Sequence, residues 1–513
     1  MTNWRLPAPN CNITRKPERR VRARGLQGLA RRVRSRGLGL VARVPSRGAF
    51  ADFCKQALVL FLAIYCTGLM AAGPTSKPNI VFILIDDMGG KDGGCFGSRF
   101  YRTPNIDALA ASGMRFTQAY AACAVCSPTR AALMTGKCPA RLHLTDYIPG
   151  EAVPKDSRFI LPDWEKQLPL QEITLADALR KRGYTTAHIG KWHLGGGKFL
   201  PQFRGFDTNI AGGNIGHPPS YFWPYGRPNN RVPGLSERGG RQGEYLTDQL
   251  TDEALGFIET NRDKPFYLNF CHYAVHAPLQ GKQELIDEAA DRPGADGQSN
   301  TVYAAMLKSV DDSVGRIVRK LDQLHIADRT LIVFTSDNGG AVHFGNPPAT
   351  SNQPLRMGKG YAYEGGLRVP LLVRMPGVTR PGAVCDTPVI TMDFFPTLLE
   401  LAGAGPAASR TSVDGVSLVP LLRGGKSLPR NELFWHYPHY WNGGKVSPYS
   451  VVRVGDWKLI RFYETDHEEL YDLKSDLSET HDLAGSNSAK RKEMSLRLDA
   501  WLKQVGAQMP VPR

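Results

Sequence analysis

Two short acidic runs, Asp86-Asp87 and Asp337-Asn338, offer three carboxylates and one amide oxygen. That is a hard, all-oxygen set, suited to Ca2+ or Mg2+ and poorly suited to zinc. Either run alone also reads as a turn former after a strand. Cys126 opens the segment Cys126-Ser127-Pro128-Thr129-Arg130. Pro128 fits a first helical turn, which puts Cys126 at a helix N-terminus. Backbone amides and the helix dipole there favour an anion and would acidify a thiol. Cys123-x-x-Cys126 could instead be a redox pair or half a zinc site, but there is no second Cys-x-x-Cys and no thioredoxin-like context. Lys191, His193, His276 and Lys359 follow other predicted strands or lie in glycine-rich loops. A single Lys or His in a loop is ordinarily solvated or structural. Together with Arg130, these four would surround a bound divalent cation with donors aimed at an anionic tetrahedral group under attack. His143, His188, His272, His436 and His439 have no comparable case and are assigned structural roles.

These residues need a scaffold that holds them at one edge. Residues 79–85 (NIVFILI) and 330–336 (TLIVFTS) are apolar, β-branched runs of the kind buried on both faces of a parallel sheet. Each ends in one of the acidic runs. Residues 265–271 predict a further strand leading to His272 and His276, and a short strand leads into Gly190-Lys191-Trp192-His193. Helices are predicted after Thr103-Pro104, stopped by Gly113, over Thr174–Arg182, and over 303–324 with an apolar stripe from Met306 to Leu324. The alternation predicts an α/β fold: a large, mostly parallel central sheet flanked by helices. Ligands in such sheets bind beyond the carboxyl ends of the strands, where both acidic runs fall. Around 403–415 the composition turns small, and short runs at 450–454 and 457–462 suggest antiparallel strands before a last helix at 488–505. The expected organisation is a basic N-terminal extension plus signal peptide at 1–73, a catalytic domain at 77–405, and a C-terminal α+β subdomain on an antiparallel sheet at 406–513.

The chain has 513 residues and a net charge of +16, which invites a nucleic-acid partner. The charge is local. Residues 1–55 carry 14 Lys/Arg against 2 Asp/Glu, and 56–72 carry no charge. The rest is close to neutral, so nucleic acid is not indicated. A basic region, an apolar run and the small residues Ala71, Ala72 and Gly73 fit a cleaved secretory signal, although the basic part is long. Retention as a membrane anchor is the competing expectation, and the run is short for a spanning helix. Arg31-Arg32 lies too far from that run to make a convincing twin-arginine signal. An exported, periplasmic or secreted, bacterial protein is expected. The six cysteines beyond residue 73 do not make a disulfide scaffold.

Cys126-Ser127-Pro128-Thr129-Arg130 resembles the sulfatase signature Cys-x-Pro-x-Arg, whose cysteine a separate maturation enzyme oxidises to formylglycine (3-oxoalanine). PNIVFILIDDMGG, GYTTAHIGKWHLGG, TSDNGG, KGYAYEGGLRVPLLVRMPG, GDWKLI and ELYDLKSDLSETHDLA resemble the family's other blocks in order, covering roughly residues 77–485. The resemblance implies an alkaline-phosphatase-like fold and a sulfuric ester hydrolase. It implies that Asp86, Asp87, Asp337 and Asn338 hold one Ca2+ (Mg2+ is the less favoured ion), which the modified Cys126 approaches. Arg130 would steady the formylglycine, Lys191 and His193 would contact its hydrate and the sulfate, and His276 and Lys359 would lie near the leaving oxygen, with His276 the proton donor. Asn214 is a sulfate-contact candidate by position only. The implied chemistry is attack on sulfur by one hydroxyl of the aldehyde hydrate, then loss of a proton from the other, which expels sulfate. A phosphomonoester or phosphonate hydrolase on the same fold and a non-catalytic glycan-binding protein are the alternatives. The substrate is expected to be a sulfated small molecule or glycan, a carbohydrate sulfate ahead of an aryl sulfate. Tyr221, Phe222, Trp223, Tyr225, Arg227, Trp435, Tyr437, Tyr440 and Trp441 could stack on sugar rings or equally serve packing.

Overall fold

β1 (Asn79–Ile85) is buried along its whole length, as its unbroken apolar sequence requires. In the computed structural model, which describes residues 77–513 apart from 228, 236–237, 405–412, 442 and 444, this strand lies near the middle of an eight-stranded sheet. The other members are β2 (Met114–Phe116), β3 (Thr185–Gly190), β4 (Thr208–Ile210), β5 (Phe266–Cys271), β6 (Thr330–Ser336), β7 (Leu371–Arg374) and β8 (Ala383–Cys385). The order is β8-β2-β7-β6-β1-β5-β3-β4. Every neighbouring pair is parallel except those made by β7, which runs against β6 and β2. The expected mostly parallel sheet is therefore present, with one reversed strand.

Both faces are covered. Val81, Ile83 and Ile85 pack with α1 (Pro104–Ser112), α4 (Leu246–Thr260) and α5 (Thr301–Gln323) through residues such as Ile106, Leu250, Met306 and Val310. Ile80, Phe82 and Leu84 face α2 (Cys126–Thr135), α3 (Leu175–Arg180) and α6 (Phe394–Leu401) through Leu133, Leu179 and Leu398. α5 keeps the predicted stripe, and the Asn300 side chain accepts from the Tyr303 amide to cap it. Burying this much apolar surface on both sides is what fixes the register of β1 against β5 and β6.

The C-terminal part is an antiparallel meander of β9 (Glu432–Tyr437), β10 (Tyr449–Val454), β11 (Trp457–Phe462) and β12 (His467–Asp472). One face packs on α7 (Ser488–Val505) through Val452, Leu459, Met494 and Leu498. The other face, with Trp435, Tyr437 and Val451, packs on Cys123, Val125 and Tyr363 of the main body. The subdomain thus buttresses the segment leading into Cys126. Of the aromatic residues expected either to meet sugars or to pack, Tyr221, Tyr225, Trp435, Tyr437, Tyr440 and Trp441 are buried packing residues. Phe222 and Trp223 are half-buried and Arg227 is exposed. The expected 405/406 boundary and the N-terminal extension lie outside the described residues. No helix of the described residues is long and apolar enough to cross a membrane.

Candidate active site

The carboxyl ends of β1, β3, β5 and β6 carry the chemistry-bearing residues into one place. The ladder continues past the strands: Lys191 N donates to Cys271 O, Asp86 N to Ala274 O, and Asp337 N to Ile85 O. Gly190, at φ 103°, is required where β3 meets β5, because a Cβ there would lie 1.8 Å from Cys271 O. Asp87 and His193 both adopt left-handed backbone, at φ 62° and 57°. Non-glycine residues take that conformation rarely, and it concentrates at functional loops.

Asp86, Asp87, Cys126 and His276 each place one ligating atom so that all four atoms lie within 4.8 Å of one another. Lys191 Nζ donates to Asp86 Oδ2 at 2.6 Å. Lys359 Nζ donates to Asp87 Oδ2 at 2.8 Å, and Asn338 Nδ2 to Asp87 Oδ1 at 2.7 Å. The Asp87 amide donates to Asp337 Oδ1 at 3.2 Å. Arg130 Nε lies 2.8 Å from Asp337 Oδ2, and Arg130 Nη1 donates to Lys191 O at 2.8 Å. Lys359 is anchored from both sides, by its own amide to Gly340 O and by the Gly360 amide to Ala124 O. His193 Nε2 bonds Ile148 O, and Ser127 Oγ donates to His193 O at 2.9 Å, tying the start of α2 to the His193 loop. All ten residues expected from the sequence thus converge, and all are buried except His276, whose side chain is 15% exposed. Asn214 is exposed.

Electrostatics show a site built for more positive charge than the protein supplies. Asp86 is pushed up to about 8: burial, reinforced by Asp337 and Asp87, outweighs Lys191 and Arg130. Burial would also raise Asp87, but Lys359, His276 and Lys191 together hold it below the usual carboxylate range. His276 and His193 are held well below the usual imidazole range, by burial first and then by neighbouring lysines. Asp86 Oδ1 and Asn338 Oδ1 are buried acceptors with no hydrogen-bond partner among the described residues. Orphaned hard oxygens beside an under-compensated carboxylate fit a divalent cation. One expectation is reversed. Cys126 does begin α2, with Val125 as N-cap, yet its thiol is pushed up to about 12 rather than acidified. Burial of a would-be thiolate outweighs Lys191 and Lys359.

The sequence left two site neighbours unmarked. His217 stacks on His276, and the His343 ring lies 4.7 Å from that of Trp441 and close enough to Lys359 to feel its charge. Both histidines sit in loops, where no periodicity marks a residue. The histidines assigned structural roles keep them: His188 bonds Asn269 and Gly190 O, and His272 bonds Ser313.

Residues 78–404 match the model of the Sulfatase family, and residues 357–508 match that described as N-sulphoglucosamine sulphohydrolase, C-terminal. A sulfatase of Formosa agariphila is 32% identical over 88% of this chain and 94% of its own length. The N-acetylgalactosamine-6-sulfatase of Mus musculus is 34% identical, covering 86% and 82%. The crystal structure of Ps i-CgsB in complex with k-i-k-neocarrahexaose superposes with a TM-score of 0.69 at 31% identity, over 83% of this chain and 93% of that one. With its alkaline-phosphatase-like sheet and converging site residues, the chain belongs to the sulfatase family, hydrolases of sulfuric esters.

Proposed function

We propose that the protein removes sulfate from a sulfated glycan, using Cys126 in its formylglycine form and one Ca2+ held by Asp86, Asp87, Asp337 and Asn338. The observation that carries this reading is the 4.8 Å grouping of buried Asp86, Asp87 and Cys126 with partly exposed His276, together with unpartnered oxygens on Asp86 and Asn338. Oxygen donors dominate the set, which favours Ca2+ over Mg2+ where the ligand cage is loose and over zinc in any geometry. Bound there, the ion would supply positive charge that polarises the sulfate oxygens and lowers the pKa of the attacking hydroxyl.

The chain's own residues do the rest. Arg130 holds Asp337 and, through Lys191 O, the β3 loop, so the start of α2 keeps its place against the acidic loops. Lys191 and Lys359 present ammonium groups to an anionic ester, with His193 beside them. His276 Nδ1 lies 2.8 Å from Ala277 O, and a carbonyl can only accept, so Nδ1 carries a hydrogen. Its Nε2, 3.6 Å from Asp87 Oδ2, is therefore the nitrogen that takes up the second proton beside the anionic ester and delivers it to the departing alcohol oxygen. Calcium's preference for oxygen supports this role for His276 over that of a metal ligand.

The N-acetylgalactosamine-6-sulfatase relative and the neocarrahexaose complex support a carbohydrate sulfate. The basic 1–55 stretch and the uncharged 56–72 run support export, with the mature chain meeting a formylglycine-generating enzyme on its way. Comparing turnover of a sulfate ester with that of its phosphate analogue, alongside mass spectrometry of the Cys126 peptide from the native host, tests this. A formylglycine mass and faster sulfate release are expected. Faster phosphate turnover would overturn it.

A further inference from the structure

The segment around residue 217 threads between the two imidazoles of the site. Gly216 lies against His193, close enough that a Cβ at 216 would be 2.7 Å from His193 Cε1. The next residue, His217, lays its ring parallel to that of His276, with centroids 5.7 Å apart and an interplanar angle of 8°. His217 is exposed, so its ring is not placed there by burial in the core. Its orientation is set locally, with Nδ1 3.3 Å from Pro218 O. The backbone below His276 is held independently: Tyr221 Oη lies 2.8 Å from His276 O and 2.7 Å from Tyr273 O, with its one hydrogen shared between the two carbonyls. Tyr221 thus fixes where the His276 main chain sits, while rotation of the imidazole about its side-chain bonds is restrained by the Ala277 carbonyl at one edge and the His217 ring across one face.

We propose that His217 is a positioning residue for His276, a stacked plate that holds the imidazole plane so that Nε2 points at the ester's bridging oxygen. The proposal rests on the sulfate-ester reading of this site. As the nucleophile oxygen bonds to sulfur, the bond from sulfur to the bridging oxygen breaks and its electron pair stays on that oxygen; His276, doubly protonated beside the anionic ester, gives its Nε2 proton there to form the alcohol and keeps the Nδ1 hydrogen. A good leaving group needs little of that proton, and a poor one needs most of it. Loss of the plate should therefore be felt in proportion to how poor the leaving group is. General disruption of the site would slow every substrate alike.

The test uses the Ca2+-loaded, formylglycine-bearing enzyme and a series of substituted phenyl sulfates, from 4-nitrophenyl to 4-methylphenyl. For His217→Ala, kcat on 4-nitrophenyl sulfate should stay within about twofold of the parent, while kcat on 4-methylphenyl sulfate should fall by about tenfold or more, as a misaimed proton donor predicts. His217→Phe keeps a flat ring without a nitrogen and should restore the parent dependence. An equal fall across the series, or His217→Phe behaving like His217→Ala, overturns the inference. If the parent enzyme releases sulfate neither from this series nor from sulfated oligosaccharides, it is the sulfate-ester reading that fails instead.

Discussion

Arg130 and Asp337 meet through two guanidinium nitrogens on one carboxylate oxygen, Nε at 2.8 Å and Nη2 at 2.7 Å from Oδ2, with both side chains buried. The pair joins the second turn of α2 to the loop after β6. The position of residue 126 relative to the acidic loops is thus fixed by a charge-assisted contact within α2's own first turn and a half.

Arg130→Ala leaves Asp337 buried without its partner, and losing one member of such a pair costs about 3–5 kcal/mol. Arg130→Lys keeps the charge and loses the forked geometry, so it should recover only part of that. Denaturant unfolding of the three proteins measures this directly. A change below about 1 kcal/mol in Arg130→Ala would show the pair to be incidental to stability.

Calcium should stabilise the fold as well as support turnover. The unpartnered oxygens of Asp86 and Asn338 and the raised Asp86 carboxyl are relieved by a cation. At an ion concentration a hundred times Kd, binding adds about 2.7 kcal/mol of stability. Thermal melts after chelation and after Ca2+ is restored should differ accordingly, and Asn338→Ala should shrink the difference. Equal melting temperatures with and without the ion would argue against a metal at these residues.

Where the sequence was informative, one local property decided the outcome. β1 and β6 are unbroken apolar runs, and such runs fold into strands covered on both faces. Their acidic tails then fall at the carboxyl edge by construction, and Pro128 marks the start of α2. Properties set by long-range packing were not legible. Nothing in the four residues of β7 encodes that it runs against its neighbours. The position of Cys126 could be inferred, but not the depth of burial that raises its thiol. The aromatic residues at 435–441 have compositions equally suited to a sugar platform or a core, and the antiparallel sheet buries them. His217 acquires its role from a ring far away in sequence.

A buried trio couples the C-terminal sheet to the main body and should make stability depend on pH. Lys458 Nζ lies 3.0 Å from Glu364 Oε1 and 2.8 Å from Glu479 Oε1, one ammonium between two carboxylates. Burial, reinforced by Glu364, outweighs Lys458 and pushes Glu479 up to about 7. The folded state then holds the Glu479 proton more tightly than the unfolded chain does. This contribution to stability is complete below the ordinary glutamate range and declines as pH rises through about 7. Glu479→Gln removes the titration. The difference in melting temperature between parent and Glu479→Gln should therefore shift in the variant's favour from pH 5 to pH 8, and a constant difference would remove Glu479 as the titrating group.

Replacing Cys126 separates the proposed aldehyde hydrate from any simpler nucleophile. A hydrate has two hydroxyls: one oxygen bonds to sulfur as the alcohol leaves, and deprotonation of the other re-forms the carbonyl and breaks the bond to sulfate. Cys126→Ala has neither, so steady-state turnover should fall by about 10^4-fold or more, as for loss of other enzyme nucleophiles. Cys126→Ser has one oxygen. It can accept the sulfuryl group with release of one equivalent of alcohol, but no second hydroxyl is present to expel sulfate. Serine should therefore give slow release of up to one equivalent of alcohol and then stop, with the sulfate found by mass spectrometry on the peptide carrying residue 126. Sustained turnover by the serine variant would mean that water, and not the second hydroxyl, releases sulfate. That outcome would leave the metal-site assignment intact while removing the reason for modifying Cys126.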